Sequence, residues 1–125
     1  KDEMIDYFKK AHYYFNQALK YKPDYVNGLV YYDIANAYEL QEIYDSAERY
    51  YKKAIAIDSN FIISRSKLAN IYFRKGEFQK ALDENKTIMI MEPEADVPYI
   101  NMGNYYVMFG DTTTALRYYE KAVQL

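Results

Sequence analysis

Apolar and small residues recur along this chain at spacings of three and four, the pattern of amphipathic helices. Tyr31, Ile34, Ala35 and Tyr38 fall at i, i+3, i+4 and i+7 and share one helical face. After the turn Gln41-Glu42-Ile43, the residues Tyr44, Ala47, Tyr51, Ala54 and Ile55 mark a second helix. Continued along the chain, the spacing predicts helices over Asp6–Tyr21, Val26–Leu40, Tyr44–Ile57, Phe61–Arg74, Phe78–Met91, Val97–Phe109 and Thr112–Gln124. No segment shows the sustained period-two alternation with hairpin turns that strands require.

The helix ends carry their own signals. In Arg74-Lys75-Gly76-Glu77, Gly76 suits the left-handed residue that closes a helix, and Gly110-Asp111 repeats the arrangement. Glu42 holds the equivalent place in the earlier turn, which must manage without glycine. Pro93 and Pro98 bracket the break before the last helix pair, with Asp96 expected as an N-cap. Asn60 is expected to cap the helix that follows it, and Pro23 to end the first helix.

Three copies of one pattern are in register. Ala47, Ala81 and Ala115 are separated by 34 residues each time. Seven residues after them stand Ala54, Ile88 and Ala122; nine before them stand Tyr38, Tyr72 and Tyr106. Further back come Asn36, Asn70 and Asn104, then Ala35, Ala69 and Gly103, then Ile34, Leu68 and Met102. An earlier partial copy reads Ala11, Phe15, Ala18 and Pro23, with two residues inserted before Tyr31. The expected layout is a single domain over 1–125, with a partial first repeat at 1–25 and repeats at 26–59, 60–93 and 94–125. Small residues let paired helices approach closely, and a helix pair that cannot bury its apolar face alone must stack on others.

These residues resemble the tetratricopeptide repeat: a bulky aromatic, a small pair, Tyr, Gly, aromatic, Ala, aromatic, Ala and Pro over 34 residues. The second unit matches with Tyr31, Ile34, Ala35, Tyr38, Tyr44, Ala47, Tyr51 and Ala54, but has Ser59 where proline is usual. The third matches with Leu68, Ala69, Tyr72, Gly76, Phe78, Ala81 and Pro93 and departs at Arg65, Asn85 and Ile88. The fourth matches with Tyr99, Met102, Gly103, Tyr106, Gly110, Ala115, Tyr119 and Ala122 and departs at Thr112. The resemblance implies an all-α fold, a right-handed α-solenoid of antiparallel helix pairs with about seven helices. It implies little about chemistry, since one fold hosts many functions.

Composition changes the picture in two places. The chain holds 17 Tyr against 6 Phe and no Trp. On the repeat most of that excess is structural: the ring fills the gap between helices while the hydroxyl reaches water or a carbonyl. A net charge of −2 argues against a generic nucleic-acid or membrane-surface binder, which needs a basic field. The cations Arg49, Lys52, Lys53, Lys80, Lys86, Arg117 and Lys121 are interleaved with Asp45, Glu48, Asp83, Glu84 and Glu120, as on a solvated outer face. No apolar run approaches a membrane span and no signal peptide is visible, so no direct membrane insertion is expected. The compartment stays open between cytoplasm and bacterial periplasm.

Candidate chemistry is sparse. There is no cysteine, and His12 is the one histidine, expected on the surface or between helices. No phosphate loop, metalloprotease helix or nucleophile elbow occurs, so no catalytic residue, cofactor or metal is assigned and an enzyme is not expected. Asn85 is expected either at the rim or hydrogen-bonded inside; Asn85-Lys86-Thr87 is a glycosylation sequon inside a predicted helix and reads as coincidence.

The first helix of each pair is expected to line a concave groove. Around the Asn column this places Leu29, Tyr32, Asn36, Glu39 and Leu40 in the second unit. The third gives Ile63, Ser66, Asn70, Phe73 and Arg74, and the fourth Val97, Ile100, Asn104, Val107 and Met108. Of these, Tyr32, Asn36, Leu40, Ser66, Asn70, Phe73, Arg74, Ile100, Asn104 and Met108 are the candidate partner-binding residues. An amide both donates and accepts, so the Asn column could hold a peptide backbone; alternatively it caps packing between neighbouring first helices. The dicarboxylate clamp found in the family that the chain resembles needs lysines where this chain has Tyr32, Ser66 and Ile100, which argues against it. The expected role is a protein-interaction scaffold for an extended or helical segment. The alternatives are an accessory region of a larger enzyme or membrane protein, or homo-oligomerisation through exposed terminal helices. Three full repeats and a remainder raise the expectation of an excerpt from a longer protein.

Overall fold

Turn chemistry sets where the helices stop. The computed structural model describes residues 2–21, 28–59 and 62–125. Its elements are α1 (Asp2–Tyr21), α2 (Gly28–Leu40), α3 (Tyr44–Ile57), α4 (Ile62–Arg74), α5 (Phe78–Met91), α6 (Val97–Met108) and α7 (Thr112–Gln124). Among the described residues there is no strand. Each helix answers to one expected from the apolar spacing, although α1 begins at Asp2 rather than Asp6 and Phe109 is the C-cap of α6 rather than part of it. The expected starts at Val26 and Phe61, the stop at Pro23 and the cap at Asn60 lie outside the described residues.

Three turns share one geometry. Gly76 and Gly110 take φ of 80° and 83°, and Glu42 takes φ of 61° at the equivalent place. The amides of Glu42, Gly76 and Gly110 donate three residues back, to the carbonyls of Glu39, Phe73 and Val107. The next amides, of Ile43, Glu77 and Asp111, donate to Tyr38, Tyr72 and Tyr106 at 3.0, 2.8 and 2.9 Å. This is the Schellman closure, and Glu42 holds it against a left-handed penalty of about 1–2 kcal/mol that glycine avoids. Asp111 then caps α7, accepting from the Thr114 hydroxyl at 2.7 Å and the Thr114 amide at 3.0 Å. Those two bonds hold its carboxyl below the usual carboxylate range. Asp96 does not act as the expected cap. Its backbone is already helical (φ −79°, ψ −27°) and its side chain makes no cap hydrogen bond. Pro98, two residues on, has no N–H to offer it, and the Tyr99 amide, three residues on, makes no bond to its side chain.

The chain divides into two compact units, Lys1–Ser64 and Arg65–Leu125. In the first, α2 packs on both α1 and α3. Ala35, Ala47 and Ala54 are fully buried at the α2–α3 seam, beside Ile34 and Tyr51. Tyr38 stacks on Tyr50 with centroids 5.6 Å apart and planes 11° off parallel, and Tyr31 stacks on Tyr50 at 6.2 Å. The Lys53 ammonium sits 5.0 Å above the Tyr50 ring and 5.7 Å above Tyr31. His12, on α1, lies between helices with its ring 3.8 Å from that of Tyr38.

The second unit repeats the seam. Ala69, Ala81 and Ala115 are buried, and Tyr106 stacks on Tyr118 at 5.6 Å and 14°. Gly103 lets the Tyr119 ring lie so close that a Cβ there would sit 2.5 Å from Cε1. The α4–α5 pair departs from this pattern. Arg65 and Glu84 stand where Tyr31 and Tyr50 stand in the first unit, and they form an ion pair at 3.0 Å, partly sheltered from water. A stacked pair has been exchanged for a charged one at the same two register positions.

Two outcomes follow from this packing. Gly103→Ala should destabilise the chain by up to about 2 kcal/mol in urea unfolding, an overpacking cost of about 1–3 kcal/mol set against a helix-propensity gain of about 1 kcal/mol. At the α1–α2 joint, the His12 Nε2 is buried without a hydrogen-bond partner among the described residues, and burial lowers its pKa. The nearest ring is that of Tyr38, and it is the loss of water around the imidazole that disfavours the charged form. The folded chain therefore takes up this proton less readily than the unfolded chain, whose histidine titrates near 6.5. Thermal stability should fall as pH drops through that range, and His12→Phe should flatten the dependence.

Candidate interaction site

The candidate residues lie on α2 in the first unit and on α4 and α6 in the second, where none is fully buried. On α2, Leu40 is exposed, Asn36 is half-buried, and Tyr32 leans its ring on Tyr51 at 5.9 Å. Tyr51 is itself sealed, yet its hydroxyl donates to Glu39 Oε1 at 2.6 Å. Burial first, and that carboxylate second, push the Tyr51 pKa well up, so the hydroxyl stays a donor. On α4 and α6, Arg74, Ile100, Asn104 and Met108 are exposed, while Ser66, Asn70 and Phe73 are half-buried. Phe73 stacks on Tyr105 at 4.4 Å and 11° and touches Phe78 and Phe109, which makes it part of an aromatic cluster as well as of the surface.

The structure brings Ser66 and Asn70 together through residues that the sequence had not placed in the site. Asn101 Nδ2 donates to Ser66 Oγ at 3.0 Å and to Asn85 Oδ1 at 3.2 Å. Asn85 Nδ2 donates to the Ala81 carbonyl at 3.0 Å and to the Tyr105 hydroxyl at 3.3 Å. The Tyr105 hydroxyl donates in turn to Asn70 Oδ1 at 2.5 Å. Asn85 is fully buried and Tyr105 is 4% exposed, so this polar chain runs through the interior of the second unit. Asn104 is held differently: its Oδ1 accepts from the hydroxyl of Tyr119.

Of the two alternatives for Asn85, the structure shows the interior one. The sequon asparagine is sealed and hydrogen-bonded in the folded chain. Tyr105, Asn101 and the link between them went unassigned in the sequence. A signal was present: Tyr105 stands where the other copies have Ala37 and Ile71, and Asn85 where they have Tyr51 and Tyr119. A large residue at a small place is matched by a small one at a large place.

Charge is thin on this face. The α6 sequence Val97–Met108 contains no ionisable acid or base other than tyrosine. Burial raises the Tyr105 pKa and the bond from Asn85 acts in the opposite sense, leaving the raised value. Among the described residues, no group of three or more His, Asp or Glu side chains gathers as a metal site would need, and no helix is long and apolar enough to cross a membrane. α7 exposes Leu116 and Val123.

Antiparallel pairs with one recurring seam, carrying polar residues on the first helix of each pair, define a helical-repeat protein. Tetratricopeptide-repeat models match residues 29–61 and 98–125. Tetratricopeptide repeat protein 17 of Danio rerio is 27% identical over 78 residues, which is 62% of this chain and 6% of that protein. Among solved structures, YrrB, described as a TPR protein with an unusual peptide-binding site, aligns with a TM-score of 0.77 at 21% identity, over 95% of this chain and 60% of that one. MamA aligns at 0.74 and 22% identity, over 91% and 63%. The first TPR of Spaghetti (RPAP3), bound to the HSP90 peptide SRMEEVD, aligns at 0.69 and 22%, over 78% of each. The chain carries tetratricopeptide repeats over residues 29–61 and 98–125, and it spans less than two thirds of the length of YrrB and MamA.

The interior relay has a measurable cost of removal. Asn85→Ala would strip the Tyr105 hydroxyl of its donor and leave Asn101 one acceptor short. It should lower stability by about 2–3 kcal/mol in urea unfolding, the range for orphaning buried polar partners.

Proposed function

We propose that this chain is a non-catalytic protein-interaction module that holds an extended or helical peptide segment against the first helices of its repeats. The observation that carries it is the asparagine column: Asn36, Asn70 and Asn104 recur at one register position, and none is buried. Asn70 and Asn104 each use the amide oxygen within the protein, while neither Nδ2 donates to any described residue. On α4 and α6 of the second unit, exposed Ile100, Met108 and Arg74 and half-buried Ser66 and Phe73 would supply the contacts that accompany Asn70 and Asn104; on α2 of the first unit, exposed Leu40 and half-buried Tyr32 would accompany Asn36. The peptide-binding site of YrrB and the peptide complex of the Spaghetti repeat support the assignment at the level of shared fold. Apolar side chains would supply most of the affinity and the amides the register, as in other peptide-recognition surfaces.

The test works with an unidentified partner. A random peptide library displayed on phage is selected on the whole chain, and the recovered peptide is synthesised. Asn70→Ala combined with Ile100→Asp should weaken its binding at least about tenfold by calorimetry, because a donor is lost and a charge enters an apolar contact. Unchanged affinity would remove this face from the function.

A further inference from the structure

The hydrogen bonds behind Asn70 run in one direction only. The Ala81 carbonyl can accept and cannot donate, so the end of Asn85 facing it is the amide nitrogen. The same nitrogen reaches the Tyr105 hydroxyl, which is thereby an acceptor on that side and has its single proton left for Asn70. At the far end Asn85 Oδ1 accepts from Asn101, which is consistent with that orientation and reinforces it. Asn70 consequently faces Tyr105 with its oxygen, and its NH2 is turned away from the relay. A main-chain carbonyl on α5 thus dictates which half of a half-buried amide on α4 is free.

Neither other asparagine of the column is fixed this way. Tyr119 donates to Asn104 Oδ1, but no described group donates to the Tyr119 hydroxyl, so nothing upstream sets its proton. In the first unit Tyr51 spends its proton on Glu39, and Asn36 makes no hydrogen bond among the described residues. The residues that make the difference, Asn85 and Tyr105, are those at which the third and fourth copies depart from the others.

Resting on the peptide-binding role proposed above, we propose that Asn85 and Tyr105 are positioning residues that lock Asn70 as a pure hydrogen-bond donor, so that this point of the surface recognises a backbone carbonyl of an uncharged partner segment. The acceptor is taken as a neutral carbonyl because Tyr105 ties Asn70 to α6, which carries no cation; Arg74, four residues on along α4, is a cation of the same candidate surface, and the amidated peptide below tests whether it draws a carboxylate instead. A carboxylate desolvated there would lack a counter-charge from α6, whereas a carbonyl needs one donor and receives one.

The experiment uses the whole chain, 15N-labelled, and the library-derived peptide in two forms, with a free and with an amidated C-terminus. Tyr105→Phe keeps the ring on Phe73 and removes only the hydroxyl. Its backbone amide spectrum should stay dispersed, while the Asn70 side-chain amide signals move to the positions of a free asparagine. Peptide affinity should fall about three- to tenfold, the worth of one hydrogen bond whose donor is no longer held in place. Asn85→Ala, which leaves the Tyr105 hydroxyl present but unaligned, should give the same signal change and the same order of loss; it also serves if Tyr105→Phe fails to fold. Asn70→Asp replaces the outward donor by an acceptor and should weaken binding more than tenfold. Amidating the peptide should change nothing.

Unmoved Asn70 amide signals in both Tyr105→Phe and Asn85→Ala would overturn the proposal. So would full affinity in those variants while Asn70→Asp loses the peptide, and the binding role would then survive without the relay. Full affinity in Asn70→Asp, or a library that yields no peptide, would overturn the binding role at this point and the relay with it. Loss of binding on amidation would overturn the choice of a carbonyl.

Discussion

Paired helices in this chain approach so closely that the residue between them can have almost no side chain. Ala35 and Ala47 in the first unit, and Ala69, Ala81, Gly103 and Ala115 in the second, are all buried at that approach. The distance they set decides what surrounds them: flat rings stack along the seam, as Tyr38 on Tyr50 and Tyr106 on Tyr118 do. Tyrosine suits the place because the ring can be sealed while the hydroxyl still finds an acceptor, as Tyr51 does in Glu39 and Tyr105 in Asn70. The high tyrosine count is therefore largely a consequence of helix spacing.

The fold was legible in the sequence because the periodicity was repeated. One copy of small and aromatic residues could be coincidence; three at a 34-residue offset place every described helix to within a few residues at its ends. Gly76 and Gly110 announced their turns, and Glu42 shows that the closing hydrogen bonds can impose the same backbone on a residue that resists it. Asp96 misled because the residue type suggests a cap while its backbone is already helical, and Pro98 removes one of the two amides that could have donated to it.

The site was only half legible. The asparagine column and its apolar flank are visible as a pattern, since they recur. The relay behind Asn70 is not, because it is built from positions that fail to recur. Asn85, Tyr105 and Asn101 are departures from the repeat, and each departure taken alone looks like drift. Only spatial contact shows that the small residue at one place and the large one at another fill a single volume and satisfy each other's polar groups. The Arg65–Glu84 pair has the same logic in simpler form, two departures that cancel.

Those two compensations differ in how they would be inherited. Repeats of near-identical length invite unequal recombination, which duplicates or deletes one 34-residue block at a time. Arg65 and Glu84 lie in one block, so any such event carries both or neither. Asn85 and Tyr105 lie on opposite sides of the junction between blocks: removing either block would separate them, and duplicating either would add an unmatched copy, leaving a buried amide beside an isoleucine or a tyrosine pressed against another. The second unit is thereby tied together as a heritable whole, although its parts follow one repeated pattern.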